Sequence, residues 1–246
     1  MIYFVSDVHL GFGPPDADRA RERALSATLH AIAADATRVF IVGDLFDYWF
    51  DYASVIPRDF VRTLATLHDL RDAGVEITYL LGNHDFGHYS YFREVLGIDV
   101  LEHDLDITLG SKRFIIAHGD GKAHNDMGYR ILRSILRNKV IQALYRMLHP
   151  TIGIGLASRT SRGSRAYTDQ KDYGTVDGLR DFAVRKISEG ADFVVMGHRH
   201  RVIQEQIGSG QYINLGDWLG THGRIGVYDP GTGQFGVREI YIESKT

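Results

Sequence analysis

The sequence predicts an α/β protein built around two packed sheets, and three observations carry that expectation. Short runs rich in β-branched and aromatic residues recur at 2–5, 39–42, 77–81, 114–117 and 193–196, each ending in a turn. Stretches with helical spacing lie between several of them. The last part of the chain reads as strands and turns alone. Strand–helix alternation followed by a strand-rich end fits two sheets with helices against them.

The elements follow in order. After the first strand, Asp16 can cap a helix running to about residue 34, with Ala20, Ala24, Leu25, Leu29 and Ile32 among its apolar positions. Pro57 opens a second helix that sets Phe60, Leu64, Leu67 and Leu70 on one face and ends at Gly74. The longest helical candidate spans 126–149, where Leu132, Leu136, Val140, Leu144 and Leu148 recur every four residues. Ile131, Ile135, Ile141 and Tyr145 widen this stripe, and Arg130, Arg133, Arg137 and Lys139 sit off its centre. Pro150, Gly153 and Gly155 interrupt helix after it, and a basic stretch, 158–165, follows. Another helix is expected over 176–187. Two hairpins are signalled at the end: 202–207 and 211–215 flank Gly-Ser-Gly, and 224–228 and 235–242 flank Asp-Pro-Gly-Thr-Gly.

A chain of 246 residues can bury a large core as one domain, or as one domain carrying an insertion. The net charge of −3 argues against a general polyanion binder, but the charge is uneven. Residues 121–171 hold ten Lys/Arg against two Asp/Glu, which leaves −11 on the remainder and marks that segment as having its own partner. The absence of cysteine removes disulfides, thiolate metal sites and cysteine nucleophiles together. No stretch approaches ~20 apolar residues, so no membrane-spanning helix is expected. The first apolar run is too short for a signal-peptide core. The expected location is the cytoplasm.

The chemistry is concentrated where strands end. The five runs lead into Asp7-Val-His9, Gly43-Asp44-Leu-Phe-Asp47, Gly82-Asn83-His84-Asp85, His118-Gly-Asp120 and Gly197-His198-Arg-His200. In α/β sheets ligands bind beyond the carboxyl ends of strands, so the five clusters are expected to converge on one edge. Glycines beside three of them let the backbone turn and approach closely. A single Asp or His after a strand is usually a turn former or a helix cap. Five such clusters together call for metal: carboxylate, imidazole and amide oxygen suit Mn²⁺, Fe²⁺ or Zn²⁺. The histidines at 30, 68, 103, 149 and 222 lie outside these clusters and read as surface or packing residues. His88 and His124 lie closer to the site.

The order D-x-H, G-D-x-x-D, G-N-H-D, H, G-H-x-H over residues 7–200 resembles the calcineurin-like metallophosphoesterase superfamily. That resemblance implies a four-layer αββα sandwich, with 1–246 as a single domain and a helical cap insertion at about 122–172. It implies two divalent metal ions, Mn²⁺ first among the candidates. Asp7, His9, Asp44 and His200 would hold one ion. Asp44, Asn83, His118 and His198 would hold the other, with Asp44 bridging. A hydroxide bridging the ions would attack phosphorus in line. Asn83 and His84 would stabilise the developing charge, and Asp47 would orient His84.

The segments Ser6-Asp-Val-His-Leu10, Gly43-Asp-Leu-Phe and His118-Gly-Asp120, with Asp126 downstream, look like the UDP-2,3-diacylglucosamine diphosphatases of lipid A synthesis. This second resemblance implies hydrolysis of a pyrophosphate to UMP and a diacylglucosamine 1-phosphate, with acyl chains held by the cap. Asp126 would take a hydrogen bond from sugar or base, and Ser158, Arg159, Arg162 and Arg165 would face the diphosphate. Asn83, His84 and His198 would complete the substrate contacts. The implied partners are a lipid-linked UDP-sugar and the inner face of a membrane, met peripherally, and no nucleic acid is expected. One departure stands out: well-known members of that family carry Arg after the Asn and Glu as the second acid of G-D-x-x-D, whereas this chain has His84 and Asp47. Two other readings compete. One is a binuclear phosphoesterase acting on nucleotides or simple phosphodiesters. The other is a non-catalytic scaffold, against which the complete ligand set argues.

Overall fold

A computed structural model describes residues 1–122, 133–153 and 177–243. The described strands, in chain order, are β1 (Ile2–Val5), β2 (Arg38–Val42), β3 (Glu76–Leu80), β4 (Asp99–Leu101), β5 (Leu105–Leu109), β6 (Lys112–Ala117), β7 (Phe193–Met196), β8 (Val202–Ile207), β9 (Gly210–Leu215), β10 (His222–Asp229) and β11 (Gln234–Tyr241). They pair into two sheets, ordered β11-β10-β1-β2-β3-β4 and β5-β6-β7-β9-β8. Strands β1 to β4 run parallel, as do β6, β7 and β9, while β5, β8, β10 and β11 pair antiparallel.

Because side chains alternate along a strand, each parallel strand serves two cores. Phe4, Phe40, Val42 and Leu80 point from the first sheet toward Phe114, Ile116, Phe193, Val195 and Ile213 of the second. The rings of Phe4 and Phe40 stack at 5.2 Å, and those of Phe114 and Phe193 at 4.7 Å. The alternate residues Tyr3, Val5, Val39, Ile41 and Ile77 meet Leu25, Leu29, Leu64 and Leu67 on helices α1 (Pro15–Ile32) and α2 (Val61–Asp72). On the far side, Ile115, Ala117, Val194 and Met196 pack on Leu179, Phe182, Ala183 and Ile187. The layers therefore run helix, sheet, sheet, helix. Each fully buried large side chain contributes about 1.5–3 kcal/mol, so this double-faced pattern stabilises both sheets at once.

Several boundaries differ from the sequence expectation. Helix α1 starts at Pro15 with Pro14 as its N-cap, because proline needs no helical N–H there; Asp16 sits inside the first turn instead of capping. A 3₁₀ turn, Arg58–Phe60, separates Pro57 from α2. The short α3 (Tyr91–Glu94) and the strands β4 and β5 were not expected.

The long helix expected over 126–149 is interrupted within its described part. Residues 133–136 are helical, and helix resumes as α4 (Lys139–Arg146). Asn138 restarts it, its side chain accepting from the backbone N–H groups of Val140 and Ile141. Pro150 does not end helix but opens a further turn over 150–153. The last helix, α5, is Gly178–Ser188, capped by the Asp177 side chain.

Candidate metal centre

The parallel strands deliver their carboxyl ends to one region, which straddles both sheets. From β1 come Asp7 and His9, from β2 Asp44 and Asp47, and from β3 Asn83 and His84. The second sheet adds His118 after β6, and His198 and His200 after β7. The backbone is bent hard at these points. Among the described residues, the non-glycine positions with positive φ are Asp7, His9, Asp44, His198 and His200, at 51°, 50°, 53°, 69° and 53°. Side-chained residues rarely adopt this region, and such strain gathers at functional sites. All five are among the seven expected ligands. The glycines do what was expected of them: a Cβ on Gly82 would run into the Asp44 carboxylate, and one on Gly197 into Asp7.

The side chains form two touching groups. In one, His200 Nε2 lies 3.3 Å from Asp7 Oδ1 and 3.2 Å from His9 Nε2. In the other, Asn83 Oδ1 lies 2.9 Å from His118 Nε2 and 3.0 Å from His198 Nδ1. Asp44 faces both, with Oδ2 at 3.8 Å from His9 Nε2 and 3.3 Å from His118 Nε2. Among the described residues, three trios have ligand atoms within 4.8 Å of one another: Asp7/His9/His200, His9/Asp44/His84 and Asp7/Asp44/His118. The second trio places His84, expected to face phosphate, among the candidate ligands.

Electrostatics fit a cation site. Asp7, His9 and Asp44 are fully buried. Burial would raise the two carboxyls, yet the neighbouring histidines hold both well below the usual carboxylate range. Burial alone would lower His118, but Asp44, with Asp7 and Asp120, carries it up to about 10. His198 goes the other way, down to about 4, through burial and then the charge on His118. The carboxylates demand positive charge here, and the oxygen and imidazole donors suit divalent ions.

A profile of the calcineurin-like phosphoesterase family matches residues 1–202. The chain belongs to this family. As a calcineurin-like phosphoesterase it is a metal-dependent hydrolase whose Asp/His cluster binds divalent metal. Among curated relatives of this phosphoesterase, the UDP-2,3-diacylglucosamine hydrolase of Porphyromonas gingivalis is 32% identical over 89% of this chain and 90% of its own. That of Pseudomonas fluorescens is 33% identical over 89% and 88%. In fold, it resembles an archaeal phosphodiesterase at TM-score 0.51 and 16% identity, covering 98% of both chains.

Residues that the motifs contain but to which the sequence assigned no role hold the phosphoesterase's loops in place. The Ser6 hydroxyl lies between the Asp7 carboxylate and the Val42 carbonyl. Asp85, fully buried, accepts from the N–H groups of Leu45 at 2.8 Å and Gly82 at 2.9 Å and from the Tyr79 hydroxyl, pinning the β2 loop to the β3 loop. Asp120 is paired with Arg133 at 3.1 Å and Arg137 at 3.6 Å, and Arg137 also donates to the Gly82 carbonyl at 2.9 Å. These contacts join distant segments, so no local motif advertises them. His84 Nδ1 lies 3.3 Å from the Asp47 carbonyl oxygen and 3.6 Å from its carboxylate, which stands equally far from His9 Nδ1.

The expected substrate residues Asp126, Ser158, Arg159, Arg162 and Arg165 lie outside the described residues, as does His124. His88 packs against Trp49, Tyr79 and Phe92, and burial pushes its pKa down to about 3.

Proposed function

We propose that this phosphoesterase hydrolyses the pyrophosphate of UDP-2,3-diacylglucosamine, releasing UMP and a diacylglucosamine 1-phosphate. The observation that carries the reaction class is the Asp44 carboxylate facing both ligand groups, at 3.3 Å from His118 and 3.8 Å from His9. The substrate rests on the relatives, which match over about nine-tenths of both lengths and are named for this lipid.

Two ions, Mn²⁺ foremost and Fe²⁺ or Zn²⁺ as substitutes, would activate water and offset the charge gathering on phosphorus. Asp7, His9, Asp44 and His200 would hold one, and Asp44, Asn83, His118 and His198 the other. Asn83 and His84 face the phosphoryl oxygens. His84, whose Nδ1 is turned to the Asp47 carbonyl, would stabilise charge or hand a proton to the leaving group.

The acyl chains are assigned to the segment at about 122–172, of which 123–132 and 154–172 lie outside the described residues. Helix α4 supports this: Val140 and Leu144 are 67% and 61% exposed, and Lys139 and Arg146 lie on the same helix. An apolar stripe with basic flanks suits lipid and an anionic membrane face, so peripheral contact on the cytoplasmic side is part of the proposal. Among the described residues no helix is long and apolar enough to cross a membrane.

The test is incubation of purified protein and Mn²⁺ with UDP-2,3-diacylglucosamine, with UMP followed by mass spectrometry. UMP should accumulate. No UMP, alongside brisk hydrolysis of a simple phosphodiester, rejects the lipid assignment.

A further inference from the structure

The outer nitrogens of the buried imidazoles share a pattern. His118 Nδ1 lies 2.9 Å from the Val42 carbonyl oxygen, and His9 Nδ1 lies 3.6 Å from the Asp47 carboxylate. The Val42 carbonyl selects the His118 tautomer that leaves Nε2 as a lone-pair donor toward the centre, and the Asp47 carboxylate stands on the matching outer side of His9. His200 has the same inward geometry, with Nε2 beside His9 and Asp7, but its side chain is 36% exposed where those of His9 and His118 are buried. Packing alone therefore constrains it least.

We infer that Asp217 is the positioning residue for His200, and that the end of β9 is a sixth supplier of the metal centre. The inference rests on the two-ion reading of that centre. Strand β9 lies parallel to β7, so its carboxyl end opens on the same edge. Gly216, at φ +77°, turns the chain there and brings Asp217 Oδ2 to 3.6 Å from His200 Nδ1. That is ion-pair distance, about half an ångström beyond hydrogen-bond range. The other oxygen, Oδ1, is held by the Leu219 N–H at 3.1 Å, which fixes the direction of the carboxylate.

The platform beneath is rigid. Trp218 is fully buried, donates through its indole N–H to the Arg224 carbonyl at 2.9 Å, and through its backbone N–H to the Asp7 carbonyl at 3.1 Å. Asn214 donates to the Gly197 carbonyl, one residue before His198. One short segment thus touches the Asp7 loop, the Gly197 loop and His200. Asp217 thus stands behind Nδ1 of His200 and orients the ring with Nε2 inward.

The test is calorimetric titration of chelator-stripped protein with Mn²⁺ alone. The wild type should bind two ions. Asp217→Ala should weaken one site by about 10–100-fold and leave the other unchanged, with Asp217→Asn in between. In a His200→Ala background, Asp217→Ala should cost nothing further. Wild-type affinity at both sites in Asp217→Ala, or an undiminished extra loss in the double variant, overturns the inference. If the Ala variant does not fold, Asp217→Asn carries the same comparison. A wild type that binds fewer than two ions overturns the two-ion reading itself, which separates the two failures. The readout is independent of the substrate.

Discussion

Oδ2 of Asp44 stands 3.3 Å from Nε2 of His118, and both residues belong to different sheets. The contact shows how the fold makes the site. Two mixed sheets pack face to face through Phe4, Phe40 and Phe114, and the carboxyl ends of their parallel strands then lie side by side. Neither sheet carries the donor set alone.

His84, together with Asp47, is where this chain departs from the diphosphatases its local sequences resemble. His84→Ala should lower turnover by about 10²–10⁴-fold, the usual contribution of a positioned acid or charge stabiliser. Its Mn²⁺ content should stay at two ions per chain by elemental analysis. A fall to one would make His84 a metal ligand, as its trio with His9 and Asp44 allows.

Gly82 leaves no room for a side chain beside Asp44. Gly82→Ala should weaken Mn²⁺ binding sharply and cost about 1–3 kcal/mol of stability by forcing that loop apart. Titration calorimetry and urea unfolding of the variant check both effects.

Leu144 is exposed on α4. Leu144→Ser should leave the melting temperature nearly unchanged, since such surface changes stay within about 0.5 kcal/mol. If the stripe meets lipid, the variant should raise KM for a long-chain substrate and release more readily from anionic vesicles. Equal KM and equal vesicle binding would return α4 to an ordinary exposed face.

Metal-free protein should be most stable near pH 6.5. His118, raised to about 10, binds a proton in the folded state that the unfolded chain releases above about 6.5, so its contribution fades as pH rises through 10. His88, lowered to about 3, stays neutral while the unfolded chain takes a proton below about 6.5, so stability also falls on the acid side. If His118 is a metal ligand as proposed, bound divalent ions should replace its proton and remove the alkaline loss. Melting curves of chelated and Mn²⁺-loaded protein from pH 5 to 10 measure this.

The candidate ligands could be named from sequence because metal chemistry restricts residue type, and Asp, His and Asn recur after apolar runs that read as strands. The sandwich was legible for a related reason: runs such as 2–5 and 39–42 are apolar at every position, as strands buried on both faces must be. What the sequence hid depends on contacts across the chain. Ser6, Asp85 and Asp217 serve partners that no spacing rule connects to them. The break before Asn138 was hidden too. The apolar period runs straight through it, but Arg137 is drawn to the carbonyls of Gly82 and Glu102 and the Asn138 side chain caps a new helix. Strand β5 escaped notice because Asp106 and Thr108 interrupt its apolar positions, as befits an edge strand with one face in water.

The most direct measurement is Mn²⁺-dependent release of UMP from UDP-2,3-diacylglucosamine by the wild type and by Asp44→Ala, with bound metal counted in both. The account predicts two ions and steady turnover in the wild type. In the variant it predicts loss of bound metal and a fall in turnover well beyond the ~100-fold that outer-shell changes cause. Near-normal turnover by Asp44→Ala with Mn²⁺ would contradict a centre in which one carboxylate serves both ions.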